Sequence, residues 1–247
     1  MTKFAHDVVV PDGQSNLTKK EQVAKMFDSI AFKYDFMNRF LSAGIDVGWR
    51  KKAIKELKTG QPKIILDVAT GTADVALMSY KILHPKKIIG IDISEGMLEL
   101  GRKKIEHLNL NTVIELQKGD SEKILFDDNS FNAITVAFGV RNFENLENGL
   151  KEMFRVLKPG GKLVVLEFSK PKQFWFKGFY QFYLKIVAPS FVQMFSSDKK
   201  AYQYLNDSVL AFPEGENFLH IMQGAGFKQT YLKSLSLGIC TIYCGSK

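Results

Sequence analysis

Three apolar runs of the chain each end on a carboxylate: Asp67 in LDVATGT at 66–72, Asp92 in GIDIS at 90–94, and Asp120 in GDS at 119–121. In an open α/β sheet, ligands bind beyond the carboxyl ends of the strands, and Gly71 in the first turn lets backbone approach a ligand closely. Asp92 follows Gly71 by about 20 residues, the spacing at which a carboxylate takes both hydroxyls of a ribose. Asp120, beside Ser121, is placed to accept a hydrogen bond from an adenine amino group. Any one of these acids is also a helix cap. Three in succession suit a cationic adenosyl ligand and not a pyrophosphate, which favours more glycine and fewer negative charges. S-adenosylmethionine is therefore the expected cofactor, its chemistry carried by the sulfonium methyl group.

The elements that must hold these residues are legible from periodicity. Short β-branched runs at 63–68, 87–92, 112–117, 131–137 and 162–168 alternate with helical patterns at about 73–83, 95–108 and 145–157, the signature of a parallel sheet with crossover helices. Upstream, a helix over 18–41 starts at Thr18, with Glu21 placed for a capping box, and a shorter one runs from about 48 to 57. Residues 1–17, with Pro11, Gly13, Ser15 and Asn16, read as a flexible tail. Downstream come a long aromatic segment, a helix at 214–225, and strands at 227–234 and 238–244 as a hairpin.

At 247 residues the chain fits one large domain with a sizeable core. No run of 18 uncharged apolar residues occurs, and the start lacks the features of a secretory or transit segment, so the expected location is the cytoplasm. The two cysteines, Cys240 and Cys244, are expected as reduced structural thiols, and the four histidines are scattered, so no metal is expected. A net charge of +8 admits solvation, nucleic acid or an anionic membrane. Basic residues interleaved with Phe, Tyr and Trp between 170 and 200 favour the membrane surface among the partners.

Two segments carry a specific resemblance. YDFMN at 34–38, continuing through Ser42 and Gly44 to Trp49, and RVLKPGGKLVVLEFS at 155–169 resemble the two signatures of the menaquinone/ubiquinone biosynthesis C-methyltransferases. FGVRN at 138–142 and YLNDSVLAFP at 204–213 look like that family's as well. The resemblance implies a class I methyltransferase fold: Rossmann-like, seven strands, mostly parallel with the last antiparallel, helices on both faces. It implies the N-terminal helices over the site, and cofactor contacts at Thr72, Asp92, Asp120 and Ser121, to which Asp67, Gly71 and Ile93 are added as strand-end neighbours. It also implies C-methylation of a polyprenyl quinol, demethylmenaquinol first and a benzoquinol as the alternative. The chain departs from the family pattern at Asp46, where a histidine is usual, at Ala73, where glycine is usual, and at Ala137, where some members have serine.

Methylating a quinol carbon requires an electron-rich ring, which ionising a phenolic hydroxyl supplies. Moving a phenol from pKa about 10 to 7 takes roughly 4 kcal/mol. An adjacent arginine shifts a pKa by about 1 to 3 units, so Arg141 is the expected phenolate stabiliser, with Asn142 orienting the oxygen and Asp46 a weaker candidate base. Tyr34 and Asn38, one helical turn apart, are candidates to face the substrate. The run at 174–195 is expected to line a groove for the isoprenoid tail or to sit at the interface, peripheral at the inner face of the plasma membrane. A homodimer is compatible with this reading. Two rival readings stay open: a methyltransferase acting on RNA, and a non-catalytic adenosyl-binding scaffold in a quinone-assembly complex.

Overall fold

Alternation along the strands decides the architecture. Leu66 and Val68, Ile134 and Val136, Leu163 and Val165 enter one apolar cluster, while Ile65, Ala133, Val164, Leu166 and Ile242 enter another. A sheet apolar on both faces has to be covered on both. In this computed structural model, which describes residues 4–171 and 199–247, helices supply that cover. The run expected over 174–195 lies outside the described residues.

Seven strands among the described residues form one sheet: β1 (Ile64–Val68), β2 (Lys87–Asp92), β3 (Ile114–Lys118), β4 (Phe131–Ala137), β5 (Leu157–Phe168), β6 (Lys228–Leu235) and β7 (Cys240–Ser246). Their order is β3-β2-β1-β4-β5-β7-β6. The first five are parallel neighbours, and β7 runs antiparallel to both β5 and β6. Helices α2 (Ile45–Lys55), α3 (Asp74–Leu83) and α4 (Glu95–His107) pack on one face through Trp49, Ala53, Ala76, Leu98 and Ile105. On the other face, α5 (Leu146–Val156) and α7 (Glu216–Gly224) bring Leu146, Leu150, Met153, Phe218 and Met222.

The parallel strands fall where the apolar runs predict them, with one instructive extension. β5 begins at Leu157, before the Pro159-Gly160-Gly161 turn, because Leu157 already pairs with Phe131. The next pair is Ala133 with Lys162, so the turn is accommodated as a bulge within the ladder, with Gly160 in left-handed backbone at φ 75°.

Helix α1 (Lys19–Leu41) starts where Thr18 and Glu21 predict, and both halves of the capping box form. It lies against α4: Asp28 accepts from Ser94 Oγ at 2.6 Å and from Gly96 N at 2.9 Å, so a carboxylate of α1 caps α4. Helix α6 (Lys199–Ala211) completes this layer, with Ala201 and Tyr204 packed among Val23, Ile30 and Met97.

The N-terminal stretch corrects the expectation of a tail. Ala5–Val8 form a 3-10 turn, and His6 is fully buried with its ring 6.2 Å from that of Phe212. Lys19 Nζ donates to the His6 carbonyl at 2.5 Å. An aromatic at Phe4 and a ring at His6 supply apolar surface that the Pro, Gly, Ser and Asn content of the next ten residues obscures. Burial, with the Lys19 ammonium alongside, lowers the imidazole pKa from 6.5 to about 3, although Asp7 Oδ1 lies 3.2 Å from Nε2. The folded ring therefore stays neutral while an unfolded one protonates near 6.5, so this contribution is complete above that pH and drains as pH falls below it. By pH 5 the loss reaches on the order of 2 kcal/mol. Hydrogen-exchange protection factors of residues 4–14, taken against the intrinsic rate at each pH, should fall between pH 7 and 5 in the wild type and stay flat in His6→Phe; an equal fall in both would refute this role for His6.

Candidate active site

The strand order reverses between β1 and β4, whose connections leave in opposite directions, and this is where open α/β sheets bind ligands. A cleft opens there. The loop after β1 contributes Ala69 and Gly71, the end of β2 Asp92 and Ile93, the end of β3 Gly119, Asp120 and Ser121, and the loop after β4 Phe138, Gly139 and Asn142. Helix α1 closes the cleft with Lys20, Phe27 and Tyr34.

Asp92 is built in by backbone donors. Its Oδ2 accepts from Gly71 N at 2.8 Å and its Oδ1 from Ser94 N at 2.9 Å, so it ties the turn after β1 to the start of α4. Enclosure by the protein raises its pKa, and these N–H groups oppose that rise. Gly71 holds the left-handed backbone, at φ 56°, that brings its N–H to the carboxylate. At the other end, Asp120 Oδ2 accepts from Lys20 Nζ at 2.5 Å, and Oδ1 accepts from Glu122 N at 2.9 Å.

Not every expected residue reaches the cleft. Asp67 lies beneath it, accepting from Thr70 and Thr135 hydroxyls at 2.6 Å each, and burial pushes its carboxyl up to about 6 against those two bonds. Its place is to brace the β1 turn against β4. Thr72 donates to Asp35 at 2.7 Å and accepts from Lys104 at 3.0 Å, which turns it toward α1 and α4. Asp46 is buried, its oxygens taken up by Arg39 at 2.8 Å, Ser42 at 2.7 Å and the Arg50 guanidinium, so it fastens α1 to α2 and does not line the cleft. Asn38 is likewise absent from the lining, one turn beyond Tyr34. Ala73 takes left-handed backbone at φ 66°, which explains why glycine is at ease there, and its side chain lies near Gly101 of α4, not in the cleft.

The loop after β4 holds the most constrained arrangement. Phe138 is in left-handed backbone at φ 59°, and its carbonyl accepts from Arg141 Nη1 at 2.7 Å. The same Nη1 donates to Glu167 Oε1 at 2.6 Å, with both side chains buried. Burial raises the Glu167 pKa, opposed by the Arg141 charge. Arg141 is thereby turned to the end of β5 and away from the cleft, whereas the neighbouring Asn142 lines it. Gly139 is required for the approach of the two loops: a Cβ there would stand 2.5 Å from the Ala69 Cβ, and Ala69 is itself left-handed at φ 52°. Gly139→Ala should cost about 1–3 kcal/mol of stability by overpacking and weaken cofactor binding at least fivefold. Chemical denaturation and calorimetric titration check this, and an unchanged affinity would show that the loops separate harmlessly.

Lys20, Glu122, Glu144, Met97 and Phe143 line the cleft without having been anticipated. For Glu122 and Glu144 the nearness to Asp120 and to FGVRN was the only signal. The described lining holds four acids, Asp92, Asp120, Glu122 and Glu144, against one lysine, which fits a cationic adenosyl ligand. Among the described residues no group of His, Cys, Asp and Glu is arranged to hold a metal ion.

This sheet order, with its acidic cleft at the reversal of strand order, defines a class I S-adenosylmethionine-dependent methyltransferase. The ubiE/COQ5 methyltransferase family model matches residues 15–247, and the chain belongs to that family. It is 48% identical to a demethylmenaquinone methyltransferase of Bacteroides fragilis, over 93% of this chain and 94% of that one. It is equally 48% identical to a ubiquinone/menaquinone biosynthesis C-methyltransferase of Geotalea daltonii, over 94% of this chain and 99% of that one. Among solved structures, an S-adenosylmethionine-dependent methyltransferase of Thermotoga maritima superposes with a TM-score of 0.64 at 19% identity, covering 91% of this chain and 99% of that one. The [4+2]-cyclase SpnF reaches 0.68 at 16% identity, over 92% and 96%. These last likenesses concern the fold, which hosts more than one chemistry.

Proposed function

We propose that the protein methylates a ring carbon of a polyprenyl quinol, with demethylmenaquinol as the acceptor. The observation that carries this reading is a cleft lined by both acidic and aromatic or apolar residues. Asp92 and Asp120 share its lining with Phe27, Tyr34, Met97, Phe138 and Phe143, which offer aromatic and apolar surface for a flat ring. The names borne by the relatives at 48% identity support the acceptor class.

On this reading Asp92, Ile93 and Gly71 hold the ribose end of S-adenosylmethionine, and Asp120 and Ser121 the adenine, with Lys20 yielding its hold on Asp120. The cofactor supplies an electrophilic methyl group. The chain aligns the ring, excludes water and stabilises the acceptor as its phenolate. Asn142 and Tyr34 are the polar groups at the wall suited to the ring oxygen. Arg141 acts from behind, its charge largely matched by Glu167, and holds the 138–142 loop in shape. Asp67, Thr72, Asp46 and Asn38 take supporting positions.

The Geotalea relative's name favours a second acceptor, a polyprenyl benzoquinol. No described helix is long and apolar enough to cross a membrane. We place the protein at the membrane surface as a peripheral partner, since the substrate's tail resides in the bilayer and the net charge is +8. Flotation with anionic vesicles tests that placement, and sedimentation tests a homodimer.

The deciding experiment incubates purified protein with S-adenosylmethionine and chemically reduced demethylmenaquinol or the corresponding benzoquinol in detergent. Mass spectrometry should show the gain of one methyl group on the naphthoquinone. No transfer to either ring, with the cofactor bound, would overturn the assignment.

A further inference from the structure

We infer that Tyr204 is a positioning residue for methyl transfer: its hydroxyl turns the Asn142 amide so that the N–H end faces the acceptor's ring oxygen. This rests on the quinol reading above. Tyr204 stands on α6, is 2% exposed, and packs among Val23, Ile30 and Met97. Its hydroxyl donates to Asn142 Oδ1 at 3.2 Å. On the opposite side of the amide lies the Phe138 carbonyl, 3.5 Å from Nδ2. A carbonyl accepts only, so the NH₂ end belongs beside Phe138 and the oxygen end beside the tyrosine. Burial raises the Tyr204 pKa, which keeps the hydroxyl protonated as the donor.

The consequence is chemical. The contact to Phe138 is long, and that carbonyl already accepts from Arg141 at 2.7 Å, so Nδ2 keeps donor capacity for a ligand in the cleft that Asn142 lines. An N–H aimed at the acceptor oxygen strengthens as that oxygen becomes a phenolate, whereas an amide carbonyl in its place would hold the proton on the phenol. Tyr204 contacts neither end of the reaction and acts only by deciding which end of Asn142 is presented.

Tyr204→Phe removes the hydroxyl and keeps the ring. Its expected effect is about a tenfold fall in kcat, the size of one hydrogen bond, with S-adenosylmethionine affinity unchanged. The pH at which kcat reaches its plateau should rise by about one unit. The double variant Y204F/N142A should be no slower than Asn142→Ala alone, since the tyrosine acts through the amide. A packing role would instead lower thermal stability and slow the N142A background further, and that result, or a wild-type kcat and pH profile in Y204F, would overturn the inference.

A second readout avoids turnover. A simple naphthol bound with S-adenosylhomocysteine should show a larger naphtholate absorbance at pH 8 in the wild type than in Y204F, and equal absorbance would overturn the inference. If the wild type methylates no quinol while this difference persists, the quinol reading falls and the orienting role of Tyr204 stands.

Discussion

Glu167→Ala should unfold roughly 10 °C below the wild type. Removing the carboxylate leaves the Arg141 guanidinium buried without its counter-charge, a change that costs about 3–5 kcal/mol. For a chain of this size, each kcal/mol lowers Tm by about 2–4 °C. Glu167 also accepts from Phe168 N at 2.9 Å, so the variant frees a half-buried backbone donor as well. Glu167→Gln keeps an acceptor and should fall only part of the way. Replacing both members by apolar residues, as in R141M/E167L, should recover much of the loss, because no uncompensated charge remains. Calorimetric scans of the four proteins decide it. A double variant as unstable as E167A would mean that the pair's hydrogen bonds, including Arg141 to the Phe138 carbonyl, carry the loop by themselves.

The second large effect falls on binding. Asp92→Ala should weaken S-adenosylmethionine by about 10²–10³-fold, since two charge-assisted hydrogen bonds that fix the cleft disappear together with the carboxylate proposed for the ribose. Asp92→Asn should fall between, because its single carbonyl oxygen can satisfy either Gly71 N or Ser94 N and its amino group meets the other donor. Isothermal titration gives the affinities. Near-wild-type binding in D92A would remove Asp92 from the cofactor site and leave it as a clasp between the β1 turn and α4.

How much of this was legible depended on whether a residue's partner lay nearby in the chain. The strand ends at Asp92 and Asp120 were readable because an apolar run, an acid and a turn occur within a few residues, and the capping box at Thr18 and Glu21 closes within one helical turn. The place of Arg141 was not readable in that way. Its partner, Glu167, comes from the next strand, and only the parallel pairing of β4 with β5 makes them neighbours. Asp46 illustrates the same limit: a carboxylate that looks available as a base is taken up by Arg39 and Arg50 once α1 and α2 pack. Tyr204 stood in a segment noticed for its likeness to a family pattern, but nothing local linked it to Asn142. His6 failed differently, since turn-forming residues beyond it hid a short buried motif. Asp67 was rightly placed at a strand end, yet Thr70 and Thr135 turn it inward, and no spacing rule distinguishes an acid that faces a ligand from one that braces the loop below.

The position of β7 has a consequence for synthesis on the ribosome. Leu163 of β5 finds its ladder partner in Gly245, and Val165 in Tyr243, so one side of β5 is without a neighbour until some eighty further residues have been made. At translation speeds of about 5–20 residues per second that interval lasts on the order of 4–16 s. Throughout it, a strand rich in valine and leucine presents an open row of backbone donors and acceptors, the kind of edge along which nascent chains associate. Since β6 reaches the sheet only through β7, the two arrive as a hairpin and seal that edge in one event. Expression yield should therefore respond to growth temperature and to chaperones acting on the growing chain more than to the stability of the finished protein.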